Sequence, residues 1–304
     1  TEPYLFQRGL SLRLSGSTWW ADEPVYEYRS SGGRVTVSRD FSRAGGVGAT
    51  RGVRSNISVS LVQEYEDYTV APEVLEDPTF RDELIALGLN PETGRGTGTV
   101  SAVEVDFEHS TAEQPLDPQQ GYVINGHLER AGRWMRGSFD YTEITGEARA
   151  YLPLGSHVVW ANRVEAGTLA GPDPALIPFY QRYFVGGSTS VRGWGRYQVS
   201  PLTPTGNPIG GRTMFEFSTE ARFPIRGKVR GVLFVDGGNA WIEPWAVQLS
   251  SLRWAIGPGI RYDTPIGPVR FDVGIQANPI DGLVIEGTPE RRQWRVHFSI
   301  GQAF

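Results

Sequence analysis

Three observations predict an all-β chain, a transmembrane antiparallel β-barrel of twelve strands. Apolar and polar residues alternate with period two in segment after segment from Leu10 to Phe304, as they do when a strand divides its side chains between two faces. The connections between these segments fall into tight turns and long loops, matching the short periplasmic turns and longer extracellular loops of outer-membrane barrels. No apolar run approaches the roughly eighteen residues that a membrane helix needs, so helical spans are excluded. The mean hydropathy of −0.30 resembles that of a soluble chain, but lumen-facing polar residues lower a barrel's average in the same way.

The first strand pattern sets Leu10, Leu12 and Leu14 against Ser11, Arg13 and Ser15, and Trp19-Trp20 closes it at a membrane interface. The second runs from Tyr26 to Arg39, with Val35 and Val37 opposite Arg34, Thr36 and Ser38. After a Gly-rich connection at 44–52, the third places Val53, Ile57, Val59 and Leu61 outward against Arg54, Asn56, Ser58 and Ser60. Residues 66–97 read as a long acidic outer connection, with room for one or two helical turns between Asp77 and Leu87.

In the fourth strand Glu104, Asp106 and Glu108 share one face opposite Val103, Val105 and Phe107. Three carboxylates on one face require a wet, charged interior. Pro115 to Pro118 marks a turn, and Gly121 to Glu129 forms the fifth strand, with Tyr122, Ile124 and Leu128 outward. The sixth runs from Phe139 to Tyr151 with Glu143, Glu147 and Arg149 on one face, and a tight Leu152 to Gly155 turn leads to the seventh, Val158 to Gly167.

The long loop 168–211 precedes the eighth strand, in which Phe215, Phe217, Ala221 and Phe223 face lipid and Glu216, Glu220 and Arg222 face inward. A Pro224 to Lys228 turn leads to the ninth strand, Val229 to Asp236, with Leu233 and Val235 outward and Arg230, Phe234 and Asp236 inward. The tenth is Trp254 to Asp263, the eleventh Val269 to Gln276 and the twelfth Trp294 to Phe304. With Phe304 at the periplasmic end, strand parity puts the 168–211 loop outside the cell. Trp19, Trp20, Trp134, Trp160 and Trp254 lie near strand ends and read as interface aromatics.

Within the long loop, residues Arg182 to Arg196 read Arg-Tyr-Phe-Val-Gly-Gly-Ser-Thr-Ser-Val-Arg-Gly-Trp-Gly-Arg. The run Val191-Arg192-Gly193-Trp194 resembles the Val-Arg-Gly-aromatic signature of the sixth extracellular loop in the BamA/TamA superfamily of outer-membrane barrels, where that loop folds back into the lumen. Four further stretches carry the resemblance: Ser218 to Pro224, Phe234 to Trp241, Gly257 to Arg270, and Trp294 to Phe304. The resemblance implies that Glu220 and Asp236 are the partners of the loop arginine. It also implies that Trp294, Val296, Phe298, Ile300 and Phe304 form a terminal β-signal read by the barrel-assembly machinery. Alternation independently places Glu220 and Asp236 on the lumen face, and a guanidinium is a planar, permanently charged fork suited to two carboxylates at once.

The superfamily's barrel has sixteen strands with this loop between the eleventh and twelfth, whereas seven predicted strands precede it here and five follow. Glu2 to Phe6 resembles the run after the family's fourth strand, so counterparts of the first four strands and of the periplasmic POTRA modules are absent from residues 1–304. The chain is then either a fragment or a short form that closes as one twelve-stranded domain, strand one against strand twelve. Closure is the expectation, because each unpaired backbone group facing lipid costs several kcal/mol.

The resemblance implies an integral protein of the bacterial outer membrane that inserts or translocates proteins or lipids; a passive pore or structural protein that kept the fold is the alternative. Expected partners are outer-membrane lipid, the assembly machinery, and either a periplasmic or membrane subunit replacing the POTRA modules or further copies of the chain. The four histidines are dispersed without metal-ligand spacing and no catalytic pattern stands out, so no metal, cofactor or enzymatic activity is expected. Gly186-Gly187-Ser188 lacks the lysine of a phosphate loop, and the formal charge of −5 disfavours nucleic acid.

Overall fold

The structure, a computed structural model, describes residues 9–23, 25–41, 52–70, 75, 84–85, 87–113, 117–265, 267–285, 287–301 and 304. In chain order the strands are β1 (Leu10–Asp22), β2 (Tyr26–Asp40), β3 (Arg54–Val70), β4 (Arg95–Ser110), β5 (Gly121–Ala131), β6 (Tyr141–Leu154) and β7 (Val158–Ala170). They continue with β8 (Thr213–Arg226), β9 (Val229–Trp241), β10 (Arg253–Tyr262), β11 (Val269–Gln276), a small ribbon of β12 (Val284–Ile285) and β13 (Thr288–Pro289), and β14 (Trp294–Ile300). Twelve of them form one antiparallel sheet in the order β1 through β11, then β14.

The register explains why alternation was a reliable guide. Leu14 lies opposite Val35, Val35 opposite Leu61, and Leu61 opposite Val103, so apolar side chains stand side by side on the outer face. Leu14, Val35 and Leu61 are all exposed there, as are Phe271 and Phe298 on the facing strands β11 and β14. The sheet curls into a barrel whose outer face is apolar and whose charged side chains turn inward. Connections at 155–157, 227–228 and 263–268 lie at one end, whereas those at 71–94, 171–212 and 277–293 lie at the other.

Several details differ from the sequence expectation. β3 continues to Val70 and β4 begins at Arg95, so the outer connection shortens to 71–94. The acidity of 64–67 masked an alternation that does not stop: Val62, Glu66, Tyr68 and Val70 are buried while Leu61 and Tyr65 are exposed. Of the Asp77 to Leu87 stretch, Leu84 and Ile85 are helical and most of the rest lies outside the described residues, as does most of the 44–52 connection.

The last strand ends at Ile300, and Gly301 adopts φ 104, a left-handed value open to glycine. Phe304 therefore leaves the edge and packs inward against a cluster of Tyr151, Val159 and Ala161. Among the described residues no ladder joins β1 to β14, so the predicted pairing of first and last strands is not made. The edges are unequal, 13 residues in β1 against 7 in β14, and the turn at Gly301 takes the chain off the edge before it could match β1.

The upper lumen is apolar, where the sequence predicts a charged interior. Val62, Tyr68, Val70 and Val100 from the strands pack with Leu84, Leu87, Leu89, Ile177, Phe179 and Ile209 from the loops. Tyr26 meets Phe179 edge-on at 5.7 Å, within the range of favourable aromatic contacts. This cap covers the charged middle of the lumen, where the loop arginine lies.

Candidate functional site

The loop between β7 and β8 is held at its neck by a two-way backbone bridge, Tyr183 N donating to Gly211 O at 2.9 Å and Gly211 N to Tyr183 O at 2.8 Å. Beyond it the chain turns down through Gly186 and Gly187, at φ 109 and 119. A Cβ on Gly186 would sit 2.8 Å from the Gly195 carbonyl oxygen, so the turn needs glycine for space as well as for backbone sign. Val185 N and Ser200 Oγ then join the descending and ascending limbs at 2.7 Å.

At the tip, Arg192 is 1% exposed and saturated with acceptors. Its Nε and Nη2 donate to Asp236 Oδ2 and Oδ1 at 2.7 and 2.8 Å. Nη1 donates to Glu220 Oε1 at 2.6 Å, and the backbone N of Arg192 adds a bond to Asp236 Oδ2 at 3.1 Å. Ser218 Oγ accepts from Nη2 at 3.2 Å and donates to Asp236 Oδ1 at 2.6 Å. The guanidinium carbon lies 3.5 Å from the Phe234 ring centroid, a cation–π contact worth about 2 kcal/mol or more when desolvated. Burial opposes the charge on Arg192, but the Asp236 and Glu220 carboxylates outweigh it and hold the group's pKa above its ordinary value.

The residues flanking Arg192 hold the loop by shape. Val191 and Trp194 are buried with Val185, Val199, Met214, Ala240, Ala255 and Leu283. Gly193, at φ 93, lies against the backbone of β11, where a Cβ on Gly274 would come 2.7 Å from the Arg192 carbonyl carbon. Gln276 Nε2 donates to Gly193 O at 3.0 Å, and Gly193 N donates to His297 Nε2 of β14 at 3.3 Å. One four-residue run thus contributes an ion pair, an apolar anchor and close backbone packing on the last strands.

Glu220 and Asp236 come together as partners of Arg192, but the group is larger than the three residues singled out from sequence. Asp272 lies 3.5 Å from Arg192 Nη1 and pairs with Arg261 and Arg270, while Arg222 pairs with Glu220 at 2.9 Å. Asp272 alternates with Arg270 on the inner face of β11, a signal present in the sequence that no motif drew attention to. Trp294, Val296, Phe298 and Ile300 line the outer face of β14, and Phe304 lies apart from them, inside. A second polar group, His127 with Glu129 and Glu143, assembles on β5 and β6. Sequence spacing could not find it, because its members meet across neighbouring strands.

Among known proteins, the Omp85 superfamily domain matches residues 1–304. The chain is 27% identical over 214 residues to the outer membrane protein assembly factor BamA of Nitratidesulfovibrio vulgaris, covering 69% of this chain and 26% of that protein. It is 25% identical over 169 residues to outer envelope protein 80, chloroplastic, of Arabidopsis thaliana, covering 53% of this chain and 19% of that one. The crystal structure of BamA from Haemophilus ducreyi lacking POTRA domains 1–3 superposes with TM-score 0.62 at 16% identity, over 95% of this chain and 69% of that one. CdiB from Acinetobacter baumannii superposes with TM-score 0.55 at 14% identity, over 91% and 42%. The chain spans about a quarter or less of the length of these two sequence relatives. Its location is the bacterial outer membrane, and with its whole length matched by one family the chain belongs to the Omp85 superfamily, with a barrel of the BamA/TamA type.

Proposed function

We propose that this barrel inserts or translocates proteins at the outer membrane by way of the opening between β1 and β14. The observation that carries the reading is the pair of sheet edges, which no ladder joins among the described residues. An unpaired strand edge is a template for another strand, and a client that pairs there satisfies backbone groups that lipid leaves bare. The lumen supports the same reading, because the inserted loop and the apolar cap occupy the route a passive pore would need. We propose further that the outer face of β14, Trp294 to Ile300, is the segment recognised when the protein is itself assembled.

The test is the folding of a small unfolded outer-membrane barrel into lipid vesicles that contain this protein. Faster folding that stops when an engineered cysteine pair bridges β1 and β14, and resumes on reduction, is the expected outcome. A rate indifferent to the bridge counts against the reading. Large, steady conductance in planar bilayers favours a passive pore instead.

A further inference from the structure

Away from Arg192, the lumen wall formed by β4, β5 and β6 carries charge with an unusual layout. Glu104 lies directly opposite Glu129, and Glu129 directly opposite Glu143, and like charges facing across a ladder are destabilising. Arg34 of β2 pairs with Glu104 through both oxygens. Glu129 and Glu143 have no arginine or lysine ion pair among the described residues. The Arg192 group is the contrast, with every carboxylate there facing at least one guanidinium. Carboxylates crowded in this way are costly unless a cation joins them; His127 lies 3.9 Å from Glu129, and the geometry around the pair provides a place for a metal ion.

We propose that His127, Glu129 and Glu143 bind a divalent transition-metal ion, with Asp106 orienting the imidazole. One ligand atom from each of the three residues lies within 4.8 Å of the others. Ligands at about 2.0–2.2 Å from a zinc ion would draw these atoms together by about 1 Å, within reach of side-chain rotation. His127 Nδ1 is 2.7 Å from Asp106 Oδ1, and in the neutral tautomer that donates this bond the Nε2 lone pair is open to an ion. That nitrogen lies 3.9 Å from Glu129 Oε2, too far for a hydrogen bond. A carboxylate behind a ligating histidine is the usual means of fixing its tautomer and raising its basicity.

The carboxylates are prepared in a matching way. Tyr141 donates to Glu129 Oε1 at 2.8 Å and Tyr183 to Glu143 Oε1 at 2.9 Å, which turns the Oε2 atoms of both toward the gap. Among the described residues only the Gln181 side-chain amide hydrogen-bonds to those atoms, at 3.3 Å from each. A half-turn of that amide presents its oxygen to the ion as a fourth ligand. A cavity of about 370 Å³, lined by Asp106, His127 and Glu147, lies beside the histidine. Because Gln181 and Tyr183 belong to the inserted loop, the ion fastens that loop to β5 and β6.

The experiment uses the full chain folded in detergent, stripped with a chelator, titrated with Zn²⁺ and freed of excess metal by gel filtration. Elemental analysis is expected to find about one zinc per chain, with the thermal midpoint raised by the ion. His127→Ala and Glu143→Gln are expected to lose the bound zinc, and Asp106→Asn to weaken it by about 10- to 100-fold. Glu108→Gln, which also lines the cavity but lies outside the triad, retains it. Absence of saturable zinc in the wild type overturns the proposal, as does wild-type binding by Glu143→Gln. The wild-type titration decides even where a variant fails to fold, with folding read from heat-dependent gel mobility.

Discussion

The Tyr197 hydroxyl donates to the Glu23 carboxylate at 2.8 Å, across 174 positions of sequence. Arg196 pairs with the same carboxylate, which lies just beyond β1, while Gly193 and Gln198 of the same loop reach His297 and Arg295 of β14. The inserted loop therefore touches both sides of the opening between the sheet edges.

Removing the Tyr197 hydroxyl should loosen one side of this bridge alone. Hydrogen bonds to charged groups contribute about 1.5–3 kcal/mol, and partial exposure brings the expected loss for Tyr197→Phe to about 1 kcal/mol. Burial, followed by the Glu23 contact, pushes the Tyr197 pKa from 10.0 up to about 12. A pKa raised on folding gives stability that is complete below pH 10 and lost as pH rises toward about 12. Unfolding midpoints for wild type and Tyr197→Phe should accordingly differ at pH 8 and converge above pH 12, whereas a constant gap would remove Tyr197 ionisation from the account.

Arg192→Ala should be far more damaging, because it leaves Asp236 and Glu220 buried with one fewer cation. Breaking a buried pair from one side costs about 3–5 kcal/mol. The loop is expected to become sensitive to protease between Gly186 and Gly206 at temperatures where the wild type is resistant. Arg192→Lys should recover part of the loss, since an ammonium cannot reach Asp236 with two parallel donors and Glu220 with a third. Equal protease resistance in wild type and Arg192→Ala would falsify the anchoring role.

The parts legible in the sequence were those governed by a fixed period or a local turn. Alternation put Glu220 and Asp236 on the inner face, and adjacent pairing of β8 with β9 then brought them within reach of one guanidinium. Alternation fixes the face and leaves the depth open, so Asp272, two strands beyond Asp236, is not singled out although it faces inward. The apolar cap was hidden for another reason. Leu89 comes from the 71–94 connection and Ile177, Phe179 and Ile209 from distant parts of the 171–212 loop, and they acquire a common neighbourhood only once the barrel brings those loops over one opening. Phe304 lies beyond a glycine at positive φ, Gly301, and packs inward, which no periodicity reports.

Gly274 offers a test of loop seating that leaves the charges in place. Its missing Cβ is what allows the Arg192–Gly193 backbone to lie on β11, so Gly274→Ala should displace the loop or lower stability by about 1–3 kcal/mol through overpacking. Gly126 of β5 has nothing within 4 Å of its hypothetical Cβ, and Gly126→Ala is the matched control, expected within about 0.5 kcal/mol of wild type. Loop proteolysis that responds equally to both substitutions would mean that β11 is not the seat.

Phe298 and Phe304 separate the proposed assembly signal from a contact in the finished protein. The Phe304 ring packs on the Tyr151, Val159 and Ala161 cluster and lies 5.2 Å from the Arg222 guanidinium, whereas Phe298 is 69% exposed on the outer face of β14. Truncating a fully buried phenylalanine costs about 3–5 kcal/mol, and the half-buried Phe304 should lose about 1–2 kcal/mol on change to alanine. Phe298→Ala removes surface that meets lipid in the folded state, so its expected effect falls on the rate of assisted insertion, with the midpoint of the purified barrel nearly unchanged. Measuring midpoint and assisted-insertion rate for each variant assigns the two rings separately: a Phe304→Ala barrel as stable as wild type would mean that the inward ring contributes nothing once folding is complete.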